Sequence, residues 1–183
     1  MRRISEFPSA ILEWLPAKKR GRAYELRAEG EVFGTLRWPR WFSARAEPES
    51  ADGRWDFASK GFWNRRTVAC APASEVELAV FVHQWVGCGN LQLADGRRFR
   101  WASQGFWRPK WFFEDEAGRV PVRLSRISFL GNRTRVEIDL ATCSHPEISL
   151  LVLLGGYLMD MKTRDGAAAG AVTGAAAAAA SAH

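Results

Sequence analysis

Residues 144–159 read Ser144-His145-Pro146-Glu147-Ile148-Ser149-Leu150-Leu151-Val152-Leu153-Leu154-Gly155-Gly156-Tyr157-Leu158-Met159. Ser144 followed three positions later by Glu147 is a capping-box pattern, which starts a helix by satisfying two orphan backbone N–H groups. Pro146 falls in the first turn, where its missing N–H costs little. From Ile148 onward only Ser149 and the Tyr157 hydroxyl are polar, so the helix has no polar face. A helix that is apolar all round is buried, in protein or in lipid. Twelve residues rise roughly 18 Å, against a bilayer core of about 30 Å. Asp160, Lys162, Arg164 and Asp165 then end the run. The length favours a core helix over a tail anchor. Gly155-Gly156 costs helix propensity of about 1 kcal/mol each, and the pair reads either as close approach of a strand or a bulky ring or as a kink.

A helix of this kind needs a container, and the preceding chain reads as short strands. Tyr24, Leu26 and Ala28 alternate with charged neighbours, and residues 32–38 give a second strand. Residues 41–46, 77–86, 111–114 and 120–129 follow as strands, with turns at 48–53, 115–118 and 131–132. Leu78, Val80 and Val82 mark one face of the 77–86 strand. Residues 133–140 alternate most cleanly, with Val136, Ile138 and Leu140 inward and Arg135, Glu137 and Asp139 outward. At the start, Ser9 caps a short predicted helix carrying Ile11, Leu12, Trp14 and Leu15 and closed by Pro16.

An internal repeat organises the middle. Asp52-Gly53-Arg54 runs through an aromatic strand to Ala58-Ser59-Lys60-Gly61-Phe62-Trp63. Asp95-Gly96-Arg97 runs likewise to Ala102-Ser103-Gln104-Gly105-Phe106-Trp107. A Gly-x-Leu strand precedes each copy, at Gly34 and at Gly89. Two copies are too few for a solenoid and suit a duplicated meander whose halves close on each other. The glycine before Phe-Trp predicts a special backbone angle or a bulge. The expected fold is mainly β: a closed antiparallel β-barrel of about 11–12 strands, built from this duplicated meander around one buried hydrophobic C-terminal helix. Residues 1–22 read as an N-terminal extension, 23–165 as the barrel with its helix at 145–164, and 166–183 as a disordered or weakly helical Ala/Gly-rich tail.

At 183 residues, this is a one-domain length. Nine Trp and eleven Phe against two Tyr need a large interior or an interface. Cys70, Cys88 and Cys143 are widely spaced, form no C-x-x-C and read as reduced. The first twenty residues carry no continuous apolar stretch of the secretory kind. The expected location is cytoplasmic, peripheral to the inner membrane. Net charge is +6 with pI about 9.7, which permits an anionic partner without choosing one.

The Gly-x-Leu strands, the Asp-Gly-aromatic strands and the closing S-x-P-E-I-S-L-L-V-L-L-G-G-Y-L-M helix, taken in that order, resemble a bacterial branch of the tubby-like C-terminal superfamily. That group includes LURP-one-related proteins and phospholipid scramblases. The resemblance covers residues 24–164 and implies a barrel around a central helix. It also implies recognition of anionic lipid headgroups through surface basic residues. No scramblase-type Asp-rich calcium segment is present.

Catalytic patterns are missing from the sequence. His83 and His145 stand apart from any metal-ligand spacing and read as structural. There is no G-x-S-x-G, Walker or Rossmann fingerprint, and the Asp-Gly pairs at 52 and 95 read as turns. The expectation is a non-enzymatic binding module with no cofactor and no metal. Its candidate ligand-binding residues are Arg65, Arg66, Arg97, Arg98, Arg100, Arg108 and Lys110, with Arg123 and Arg126 on a further strand. Beside Trp63, Trp107 or Trp111 such a basic patch suits a membrane interface. Single-stranded nucleic acid, stacked on the same rings, and an unidentified protein partner stay open. So does ordinary barrel exterior, with arginines facing water and tryptophans facing the core. The Lys18-Lys19-Arg20 cluster reads as a solvated linker.

Overall fold

The computed structural model describes residues 1–4, 11–17, 22–40, 43–61, 65–84, 87–127, 133–139, 141 and 147–180, with side chains described up to residue 165. The chain forms thirteen strands and one helix among these residues. The strands are β1 (Ile11–Pro16), β2 (Ala23–Ala28), β3 (Glu31–Arg37), β4 (Glu47–Ser50), β5 (Gly53–Arg54), β6 (Asp56–Lys60), β7 (Arg66–Cys70), β8 (Glu77–His83), β9 (Gly89–Leu93), β10 (Arg98–Gln104), β11 (Lys110–Asp115), β12 (Val122–Arg126) and β13 (Thr134–Ile138). The helix α1 is Glu147–Ala180.

The sheet order is β5-β4-β3-β2-β1-β13-β12-β11-β10-β9-β8-β7-β6, antiparallel throughout. Its two ends, β5 and β6, are consecutive pieces of one strand interrupted only at Trp55. Against β4 the pairing keeps one register across the gap: Ser50 faces Gly53, Glu49 faces Arg54, and Ala46 bridges Phe57. The Ala46 and Phe57 backbones exchange hydrogen bonds of 2.9 and 2.8 Å. The sheet therefore curls into a nearly closed barrel, as expected, and no long strand edge is left open among the described residues.

The helix runs through this barrel. Leu151, Val152, Leu153 and Tyr157 are fully buried, and Ile148, Leu154 and Met159 nearly so. The wall meets them with Leu12 and Trp14 from β1, Phe33 and Leu36 from β3, Phe81, Trp101, Phe113, Leu124 and Val136. Trp101 stacks on Trp111 at 5.5 Å, and Trp38 stacks on Tyr157 at 6.2 Å. The glycine pair is explained by the wall. A β-carbon at Gly155 would meet Leu124 at 2.8 Å, and one at Gly156 would meet the Trp14 indole at 2.7 Å.

Both repeat copies run from a turn through a strand to a left-handed glycine, Gly61 at φ 83° and Gly105 at φ 93°. The Gly-x-Leu strands are not equivalent. β9 forms a hairpin directly with β10, whereas β4 intervenes between β3 and β5.

Several expectations are corrected. Residues 11–16 form a strand, not a helix, because Leu12 and Trp14 alternate inward against β2 and β13. The barrel thus begins inside the 1–22 span that reads as an extension. In β8 the inward residues are Ala79 and Phe81, while Val82 is 40% exposed. A register shift at Ala69/Cys70 accompanies this exchange of faces. The helix continues past Arg164 through the alanine stretch to Ala180, the helical one of the two forms expected for the tail. Alanine has the highest helix propensity and adds turns to a helix already nucleated. The Ser144–Pro146 cap, His145, Ser9, Lys18-Lys19-Arg20, Trp41, Trp63, Gly131-Asn132, Leu140 and Cys143 lie outside the described residues.

Candidate functional site: two unlike rims

Strands alternate in direction, so their connections fall at two ends of the barrel. Helix α1 begins at one, the entry rim, and leaves at the other, the exit rim. Polar contacts fix it at both. At the entry rim the Ser149 hydroxyl donates to Asp52, and the Arg97 guanidinium binds Glu147. At the exit rim Arg22 pairs with Asp160, Arg65 with Asp165 at 2.9 Å, and Arg126 donates to the Thr163 hydroxyl. The Tyr157 hydroxyl donates at 2.5 Å to the carbonyl of Ala44, in the exit-side connection between β3 and β4.

The two rims differ in chemistry. The strand connections of the entry rim, residues 29–30, 51–52, 71–76, 94–97 and 116–121, carry Glu29, Asp52, Glu75, Asp95 and Glu116 and contain no Phe, Trp or Tyr. Their two arginines fold onto carboxylates. Arg97 grips Asp95 and holds that carboxyl below its usual range, and Arg119 donates to Asp115 at 2.7 Å.

The exit rim reverses this. Its connections are residues 17–22, 38–46, 61–65, 84–88, 105–109 and 127–133. None of the six contains an Asp or a Glu. Described cations there are Arg22, Arg40, Arg45, Arg65, Arg108 and Arg133, of which Arg22, Arg45, Arg65 and Arg133 pair with carboxylates of neighbouring elements, Asp160, Asp56, Asp165 and Glu13; described rings are Trp38, Phe106 and Trp107. Trp41, Phe42, Phe62, Trp63, Trp85 and Phe129 belong to the same segments in sequence and lie outside the described residues.

Phe106 and Trp107 are 90% and 85% exposed and touch each other edge to face at 5.6 Å. Arg22 is held inward, its guanidinium 3.8 Å over the Trp38 ring. Burial, and then the charge of Arg164, lowers its pKa to about 10. Lys162 lies 4.2 Å over Trp111, and burial lowers its pKa. His83 bonds Thr67 at 2.8 Å and packs on Phe81, a structural setting; burial and Arg65 push it to about 4.

The seven candidate basic residues do not form one patch. Arg97 is at the entry rim. Arg98 and Arg100 point outward from β10, and Arg100 is paired to Glu114 at 2.5 Å. Arg65, Arg66, Arg108 and Lys110 lie at or next to the exit rim. Arg123 sits mid-strand opposite Glu137, and Trp111 is core. The exit-rim connections as a set were missed, because which turns share an end depends on strand parity. With β1 read as a helix, the 17–22 connection drops out of the set. The usable signal was the repeated Gly-Phe-Trp tip. No helix of the described residues is long and apolar enough to cross a membrane. No protein-family model, curated protein or solved structure matches the chain.

Proposed function

We propose that this protein is a non-enzymatic module that docks on anionic phospholipid surfaces, a bacterial member of the tubby-like superfamily working at the cytoplasmic face of the inner membrane. A nearly closed barrel around a buried C-terminal helix supports the family reading. The observation that carries the functional reading is the exit rim: six connections with arginines and aromatic rings and not one carboxylate. An anionic surface attracts each nearby Lys or Arg by about 1 kcal/mol. The entry connections carry five carboxylates against Arg97 and Arg119, with Arg2 and Arg3 of the N-terminal segment paired to Glu31 and Asp52, so that end suits an anionic surface less well than the exit rim does. Of the expected residues, Arg65, Arg66, Arg108 and Lys110 fit this surface; Arg97, Arg98 and Arg100 do not share it.

Flotation of the full chain tests the reading, using phosphatidylcholine vesicles with and without phosphatidylglycerol. Selective flotation with the anionic vesicles, weakened by added salt, is expected. Equal partition into both lipid compositions would remove the electrostatic reading.

A further inference from the structure

We infer that residues 105–109, the β10–β11 connection, form a tip that penetrates the interfacial layer of an anionic bilayer. This rests on the lipid-surface reading and adds to it a point of insertion and an orientation.

Three observations place the tip. Phe106 and Trp107 are the most exposed large apolar residues among the described ones. A soluble barrel gains nothing from leaving both rings in water, and their contact is with each other rather than with the wall. The tip is also shaped to stand out. Gly105 takes a left-handed φ of 93°, which a side chain would strain, and Pro109 fixes the return. Third, the neighbours are cationic. Arg108 follows the rings, Lys110 opens β11, and Arg126 ends β12 one strand away. Rings at headgroup depth with cations behind them match the layered chemistry of an anionic interface.

The alternatives fit less well. A second copy docking by the same rim would bring the same arginine-bearing connections face to face, offset only by the carboxylates already paired there, Asp56, Asp160, Asp165 and Glu13. The repeat adds a geometric point. Gly61, at φ 83°, heads the other Gly-Phe-Trp sequence at the same rim. Duplication has therefore set a left-handed glycine at two places on one end of the barrel. Helix α1 leaves by that face as well, and from residue 166 on its sequence carries no Lys, Arg, Asp or Glu. Nothing in it repels an apolar layer by charge.

The test uses the full chain and phosphatidylcholine–phosphatidylglycerol vesicles. The double variant Phe106→Ser/Trp107→Ser should lose at least about ten-fold in vesicle affinity while keeping the wild-type thermal midpoint. Val76→Ser, an exposed apolar change at the entry rim, should bind as wild type. Trp107→Phe keeps a ring and removes one fluorophore; it should show less quenching by brominated lipid than the wild type. If the double variant binds vesicles as the wild type does, the tip is wrong and lipid binding proceeds through another surface. If the wild type ignores anionic vesicles, the lipid reading itself falls and takes the tip with it. Self-association without vesicle binding, abolished in the double variant, would reassign the rings to a contact between copies.

Discussion

The indole of Trp14 occupies the space where a side chain on Gly156 would stand: a β-carbon there would lie 2.7 Å from Cε2 and Nε1. Trp14 is 3% exposed and held by pairing on both sides of β1, so the ring has nowhere to go. Gly156→Ala gains about 1 kcal/mol of helix propensity and incurs overpacking of about 1–3 kcal/mol. The net expectation is a loss near 1 kcal/mol. Gly155→Ala meets the ends of Leu124, which turn more easily, and should cost less. Denaturant midpoints of the two variants decide it; a Gly156→Ala protein more stable than wild type would refute this packing.

Leu151 is wholly buried in the second turn of α1. Leu151→Ala should destabilise by about 2–5 kcal/mol. Leu151→Asp or Leu154→Asp should abolish folding, since an unpaired carboxylate would sit inside the barrel. A Leu151→Asp protein with native circular dichroism that lost only membrane association would show that the helix is an anchor and not a core.

Arg22 and Asp160 form a buried ion pair, with 8% and 10% side-chain exposure. Asp160→Ala leaves the guanidinium without its counter-charge and should lose about 3–5 kcal/mol. Replacing both, Arg22→Met with Asp160→Leu, should recover most of that loss. Unfolding curves of the two singles and the double form a thermodynamic cycle. Additive losses would mean that the pair does not couple.

His83 carries a pH dependence. Burial first, then the Arg65 charge, lowers its pKa from 6.5 to about 4. Between those values the unfolded chain binds a proton that the folded one refuses. The stability held by this group is therefore complete above pH 6.5 and drains away as pH falls toward 4. Relative to His83→Gln, the wild type should lose stability across that window. A constant difference between the two proteins from pH 7 to about 4 would show that His83 titrates normally in the fold.

The barrel and its plug were legible because they rest on patterns with one physical reading. An apolar run with no polar face must be buried, and one of the two readings of Gly155-Gly156 was the close approach that Trp14 and Leu124 make. Val136 and Ile138 alternate as β13 requires. The exchange at β8 was hidden, since Leu78, Val80 and Val82 alternate as cleanly as Ala79 and Phe81 do. Pairing with β9, which sets Ala79 opposite the buried Leu93 and Phe81 opposite the buried Leu91, puts the second set inward. The 11–16 strand was lost for a related reason: six residues bearing Leu12, Trp14 and Leu15 satisfy a helical spacing too. Only the neighbours β2 and β13 decide between them. The candidate site suffered most. Arg98 and Arg100 look like Arg108 and Lys110 in sequence, yet one pair faces out from the barrel wall and the other stands at or next to a rim.

All thirteen described strands precede the helix that fills them. The hydrogen bonds that tie helix to wall join residues far apart in the chain, 97 positions for Ser149 and Asp52 and 113 for Tyr157 and Ala44. During synthesis the wall emerges first and has nothing to close around. Its inward rings, Phe33, Phe57 and Phe81 among them, wait for a segment not yet made. Such distant contacts make folding slow, and the interval exposes sticky surface. The protein therefore becomes native late and nearly all at once, when its last long segment finds the lumen.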